Sequence, residues 1–332
     1  MDDDKSKSTA SLCLIEPEIS AEELVSQLMP PPEFASSSFE NYLPDPNFPS
    51  QAAALAAVKK FETGKSSLFS RSELAPGIYL DGGFGVGKTH LLAALWHSFR
   101  GKKAFGTFLE YTSLVGYLGF QETVNRLAKF NLICIDEFEL DDPGDTMILS
   151  RLLKELERAG VRFAATSNTP PNALGQGRFA ADDFKREIQG LGSRFQIISI
   201  DGEDYRHRAI DSHSHNLSMR ELEDWVSYQS DPYLDRFADL LSHLGKLHPT
   251  KYRPLIMDVG ALGIHDVYQL RDQVAALRFV VFVDRLYEQQ IPLRTQGDIP
   301  ITDVFSQEML EGGYKKKYLR AISRLGALCE LY

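Results

Sequence analysis

The sequence is short of several features that would place it in a class at once. It has three cysteines in 332 residues, Cys13, Cys134 and Cys329, widely spaced and odd in number. Such spacing supports neither a disulfide framework nor a cysteine metal site. Long apolar runs are missing too: the best candidate, Phe279 to Val283, falls far short of the roughly 18 residues that a membrane span requires. No arginine precedes Arg71. The start therefore resembles neither a secretory signal, with its basic head and apolar core, nor an Arg-rich organellar transit peptide. These absences predict a cytoplasmic chain with no membrane span. Positive charge is scarce as well, 36 Lys and Arg against 46 Asp and Glu for a formal net charge of −10. A nucleic-acid binder that relies on neutralising phosphates is disfavoured.

What is present is ordinary globular material, 43% hydrophobic and 25% charged, enough to bury the core of one large domain or two of typical size. The acidity is unevenly placed. Residues 1–50 hold ten carboxylates and two lysines, a net −8, which leaves the chain from Gln51 onward at only −2. This leader is rich in Ser and Pro and is interrupted by Pro30-Pro31-Pro32, so it reads as an acidic, largely flexible extension and a candidate regulatory or docking segment. One short helix is expected within it, from a capping box of Ser20 and Glu23 before Leu24, Val25, Leu28 and Met29.

From Gln51 an alanine-rich helix runs to about Phe61, and strands and helices then alternate. Gly77 to Leu80, Ala104 to Leu109, Leu132 to Ile135, Val161 to Thr166 and Phe195 to Ile200 read as strands. Between them come helices at Thr89 to Arg100, about Thr112 to Phe130, from Pro143 with Asp142 as cap, and 180–191. Leu132-Ile-Cys-Ile135 is too continuously apolar for a half-exposed strand, which points to a buried parallel one. The expected fold is α/β, a P-loop NTPase sheet of parallel strands with helices on both faces over residues 51–204. A mainly helical part over 205–332 follows. In it Ser218 and Glu221 form a capping box, Leu234, Phe237, Leu241 and Leu244 form a helical stripe, and Leu255 to Met257 is a candidate strand. Long helices are expected from about Asp266 to Gln289 and Tyr314 to Leu331.

Gly82-Gly83-Phe84-Gly85-Val86-Gly87-Lys88-Thr89 fits the phosphate-binding loop Gly-x-x-x-x-Gly-Lys-Thr, placed between a strand and a helix as its mechanism demands. Glycines let backbone N–H groups turn toward phosphates, and the helix N-terminus adds positive potential. Lys88 would reach the β and γ phosphates of ATP, and the Thr89 hydroxyl would ligate Mg2+. Asp136 and Glu137 end the apolar strand at its carboxyl edge, where open α/β sheets bind ligands. Asp136 is the expected Mg2+ residue and Glu137 the group that polarises the attacking water. Asn168, after the strand that ends at Thr166, either makes a turn before Pro170-Pro171 or positions that water.

The transferring phosphoryl group also needs a cation, and an arginine finger contributes roughly 10³–10⁵ in rate. Arg178, Arg186 and Arg194 are the candidates, with Arg194, just before the fifth strand, the one a ring ATPase would present to its neighbour. Arg320 and Arg324 are candidates for a γ-phosphate contact from the second part, against the simpler reading of exposed helix charges. Glu139, Asp141, Asp142 and Asp145 read as helix N-terminal charges, and His207, His213 and His215 as ordinary loop histidines.

With these motifs go Ile135-Asp-Glu-Phe138, Ala165-Thr-Ser-Asn168, Asp204-Tyr205-Arg206, Asp284-x-x-Tyr287 and Ser323-Arg324-Leu325. Together they resemble the ZapE-type AAA+ ATPases, a family of bacterial cell-division proteins and mitochondrial AFG1-like relatives, over about Phe39 to Leu331. The resemblance implies an ATP-driven motor that forms a nucleotide-dependent homo-oligomer and acts on protein partners, in bacteria those of the division ring. It implies Mg-ATP residues at Lys88, Thr89, Asp136, Glu137 and Asn168. Phe105-Gly-Thr-Phe-Leu109 departs from the histidine-rich strand of many members, and the acidic leader is longer than usual. The lack of a transit peptide favours the bacterial branch. Two other classes stay open, a helicase-loader ATPase and a small-molecule P-loop kinase. The near-neutral body argues against the first, and the kinase has no needed role for Glu137 and Asn168.

Overall fold

The computed structural model describes residues 9–63, 77–83, 85–138, 143–169, 195–203 and 216–331. The chain forms two compact units, Ser20–Arg208, and Met1–Ile19 together with Ala209–Tyr332. In the first unit the elements are α1 (Ala21–Ser26), α2 (Pro49–Thr63), β1 (Gly77–Gly82), α3 (Lys88–Ser98), β2 (Lys103–Thr107), α4 (Phe108–Leu118), α5 (Phe120–Leu127), β3 (Leu132–Asp136), α6 (Pro143–Arg158), β4 (Arg162–Ser167) and β5 (Phe195–Ile200). The expected helix at 180–191 lies outside the described residues.

The five strands form one parallel sheet in the order β2-β3-β4-β1-β5. All five residues of β3 are buried, as its continuous apolar run requires. Alternation along β1 sends Ile78 and Leu80 into a core with Ala54 and Val58 of α2 and Leu91, Leu92 and Leu95 of α3. Tyr79, facing the other way, stacks edge-on with Phe138 and Phe195, each at 5.8 Å. Insertion of β4 between β1 and β3 has a consequence for function. It brings the end of β4 between the loop that follows β1 and the carboxylates that end β3.

Two boundaries in this unit differ from the expected ones. Phe108 and Leu109 belong to a helix because Thr107 and Glu110 form a capping box at the end of β2. Gly119 then divides the expected helix of 112–130 into α4 and α5.

The second unit carries two long helices, Lys315–Glu330 as expected and Gln273–Glu288, which starts later than the expected Asp266 because Asp266 and Val267 end a strand; it also carries a three-stranded parallel sheet, β6 (Pro232–Arg236), β7 (Ala261–Val267) and β8 (Leu293–Gly297), in that order. Leu234 is therefore a strand residue rather than part of a helical stripe, and the helix begins at Phe237. The strand expected at Leu255 to Met257 is corrected: Tyr252–Leu255 is one helical turn, anchored by the buried Tyr252 hydroxyl, which donates to the Leu244 carbonyl at 2.7 Å.

The leader is packed over residues 9–50, which corrects the largely flexible reading for that stretch. Leu12 is 0% exposed in the core of the second unit. Beside it, the Ser11 hydroxyl and the Leu12 amide donate to Asp235 at 2.5 and 2.9 Å, and His243 Nε2 bonds the Ile15 carbonyl at 2.9 Å. From Ser20 on, the leader joins the first unit. Its capping box of Ser20 and Glu23 is present, and the Phe105 amide of edge strand β2 donates to the Leu28 carbonyl at 2.9 Å.

Candidate active site

The loop after β1 starts where the chain runs tight against its neighbour. A Cβ on Gly82, whose φ is +154°, would lie 2.2 Å from the carbonyl oxygen of Ile200 at the end of β5, so only glycine fits. At the other end Gly87 caps α3 without a side chain. Gly87 therefore offers the first-turn N–H groups of α3 no side chain of its own, the arrangement that suits an anion. Lys88 is buried, and its Nζ donates to the carbonyls of Gly82 and Gly83 at 3.0 and 2.5 Å. Its ammonium therefore lies against the backbone that opens the loop. Phe84 lies outside the described residues.

Thr89, in the first turn of α3, donates to Asp136 Oδ1 at 3.1 Å. The hydroxyl of Thr166 on β4 donates to the same oxygen. Burial first, and then the neighbouring Glu137 carboxylate, push the Asp136 carboxyl up to about 6, against the two threonine hydroxyls that lower it. Glu137 itself sits at φ +51°, left-handed backbone that a non-glycine residue rarely adopts. Its N–H donates to Thr166 Oγ1 at 3.2 Å, and the next N–H, of Phe138, to the Thr166 carbonyl at 2.7 Å. Phe138 is anchored between the rings of Tyr79 and Phe108, each 5.8 Å away. The strand thus ends abruptly at Asp136, and the turn that follows is held from both sides.

Lys88, Thr89, Asp136 and Glu137 therefore share one edge of the sheet, and Asn168 follows directly after β4 on that edge. Arg178, Arg186 and Arg194 lie outside the described residues, as do His207, His213 and His215. Arg320 and Arg324 both pair with Asp284 inside the second unit, Arg320 at 2.8 Å, and the Arg324 guanidinium lies 5.1 Å from the centre of the Tyr287 ring. They are not plain exposed helix charges. Burial opposes ionisation of Asp284, but the Arg320 and Arg324 guanidiniums outweigh it and hold the carboxyl below its ordinary value. Two residues escaped the sequence reading. Thr166 had a signal, a hydroxyl one strand away from an acidic pair; Tyr42, which packs on the loop, had none.

Among the described residues no three His, Cys, Asp or Glu side chains form a metal cluster. The oxygens of Thr89 and Asp136 nevertheless suit Mg2+, which takes one or two protein oxygens and fills its octahedron with water and phosphate. Among the described residues no helix is long and apolar enough to cross a membrane.

A glycine loop between strand and helix, a lysine and threonine opening that helix, and an acidic pair ending a strand two places along the sheet define a P-loop nucleotide-binding protein of AAA+-like architecture. The AFG1-like ATPase family matches residues 19–235 and 229–331, and the chain belongs to that family; it is an ATPase. Cell division protein ZapE of Escherichia coli K12 is 26% identical over 293 residues, covering 75% of this chain and 76% of that one. Lactation elevated protein 1 homolog B of Danio rerio is 25% identical over 293 residues, covering 71% and 58%. Among solved structures, that of DnaI superposes at a TM-score of 0.42 with 19% identity, covering 53% of this chain and 94% of that one.

Proposed function

We propose that this ATPase hydrolyses Mg-ATP at the edge formed by β1, β3 and β4. The observation that carries the proposal is the hydrogen-bond chain from Thr89 through Asp136 to Thr166, which sets a helix hydroxyl 3.1 Å from a strand carboxylate beside the phosphate loop. The amides of Gly82, Gly83, Phe84, Gly85, Val86 and Gly87 hold the phosphates, with Lys88 on the β and γ groups. Thr89 and Asp136 hold Mg2+, which when bound neutralises charge on the phosphate oxygens. Glu137 takes a proton from the attacking water, and Asn168 orients that water. An arginine from a neighbouring subunit, Arg194 before Arg178 or Arg186, meets the charge on the transferring phosphoryl group and makes turnover depend on assembly.

Hydrolysis then drives remodelling of protein partners in the cytoplasm. Similarity to a relative named as a cell division protein makes division-ring components the first partners to test. The test of the site is ATP turnover with and without Mg2+ in the wild type and in Lys88→Ala. Chelating Mg2+ is expected to abolish turnover, and Lys88→Ala to lower it by about 100-fold. Turnover close to wild type in either arm overturns the proposal.

A further inference from the structure

The phosphate loop is gripped from outside its own motif. Tyr42 is buried in the first unit, and its ring lies so close to Gly87 that a Cβ there would come 2.6 Å from Tyr42 Cε2. Gly87, at φ +83°, is thus required both for the loop's turn and for the ring beneath it. The Tyr42 hydroxyl donates to the carbonyl of Val86, a long bond at 3.3 Å. The Val86 side chain is buried and lies close against Gly202, as does the Gln51 amide, and Gln51 Nε2 donates to the Asp201 carbonyl at 3.0 Å. Tyr42 is itself fixed to α3. Its ring lies 5.6 Å from that of His90, and His90 Nε2 bonds the Ser38 carbonyl at 3.0 Å.

We propose that Tyr42 is a positioning residue for nucleotide: by holding the Val86 carbonyl outward and filling the space under Gly87, it aims the Gly87 N–H at the phosphates. A trans peptide is planar, so its C=O and N–H point in opposite directions. Fixing the Val86 oxygen toward Tyr42 therefore turns the Gly87 N–H away from it, toward the inside of the loop. Burial raises the Tyr42 phenol above its ordinary value, so it stays a neutral donor. The inference rests on the reading of Gly82 to Thr89 as the phosphate site. Because the aimed N–H serves bound nucleotide and transition state alike, its loss weakens binding and leaves the chemical step unchanged.

The experiment measures affinity for ADP and for a non-hydrolysable ATP analogue, with KM, kcat and thermal midpoint, in the wild type, Tyr42→Phe, Tyr42→Leu and Lys88→Ala. Tyr42→Phe keeps the ring and is expected to raise Kd and KM about threefold at unchanged kcat, the size of one modest hydrogen bond. Tyr42→Leu, which also loosens the loop, is expected to raise both by about tenfold. Kd values for both variants equal to wild type, or a fall in kcat at unchanged KM, overturn the inference, the second being the mark of a smaller folded fraction. Lys88→Ala separates the two readings. If it loses nucleotide while the Tyr42 variants bind normally, only the role of Tyr42 fails; if it binds as wild type, the phosphate-loop reading fails first.

Discussion

Thr166 serves both members of the acidic pair with one oxygen. It donates to Asp136 Oδ1 and accepts from the Glu137 N–H at 3.2 Å, so it turns the first carboxylate toward Thr89 and steadies the backbone that aims the second. That backbone is left-handed at Glu137, a conformation that costs about 1–3 kcal/mol and needs fixed neighbours. Thr166→Val keeps the volume and removes the hydroxyl, at about 1–3 kcal/mol for a buried polar group deprived of its partner. ATP turnover in Thr166→Val is expected to fall about tenfold, whereas Thr166→Ser, which retains the hydroxyl, stays within about threefold. Steady-state rates decide it, and equal rates for the two variants would show that the hydroxyl does nothing. Asp284 shows the same logic in the second unit. Its folded carboxyl is held below the ordinary value, so on acidification the unfolded chain takes up the proton first. The stabilisation is complete above the ordinary carboxylate range and is lost as pH falls through it toward the folded value. Thermal midpoints are expected to drop more steeply between about pH 5 and 3 in the wild type than in Asp284→Asn; parallel curves would contradict this.

At the scale of elements, the leader is divided between the two units. Ala10 to Ile15 clasp the edge strand β6, with Ala10 bridged to Tyr233 and Leu12 fully buried, while the stretch from Ser20 packs on the first unit. Leu12→Ala should therefore behave as a core truncation, lowering stability by about 2–5 kcal/mol. Chemical denaturation of the full chain measures it, and a change under about 0.5 kcal/mol would place Leu12 at the surface. None of this was legible in the sequence, because it depends on partners far along the chain. Asp235 looks like a surface acid until Ser11 and Leu12 donate to it. β6 was hidden because Leu234 falls on the helical spacing of Phe237, Leu241 and Leu244, although the chain turns from strand to helix between Leu234 and Phe237. Features with local causes read correctly: the capping boxes at Ser20 and Ser218 and the buried strand Leu132 to Asp136. The start of α4 had a local signal too, Thr107 with Glu110, which the apolar run through Phe108 and Leu109 masked.

For the whole molecule, the formal charge of −10 belongs mostly to residues 1–50, and the rest, near −2, has no excess of cations for a nucleic-acid backbone. An ATPase that borrows an arginine from its neighbour should turn over faster as subunits meet. Specific activity is expected to rise with protein concentration and to saturate once assembly is complete, and Arg194→Ala should abolish the rise. Constant specific activity from a chain that sediments as a monomer would remove the neighbour from the mechanism. The central claim, that Glu137 activates the water while Lys88, Thr89 and Asp136 hold Mg-ATP, is tested most directly by Glu137→Gln, with ATP affinity and single-turnover hydrolysis measured on the same preparation. Affinity is expected to stay within about twofold of wild type and hydrolysis to slow by about 100-fold. Hydrolysis at the wild-type rate would contradict it.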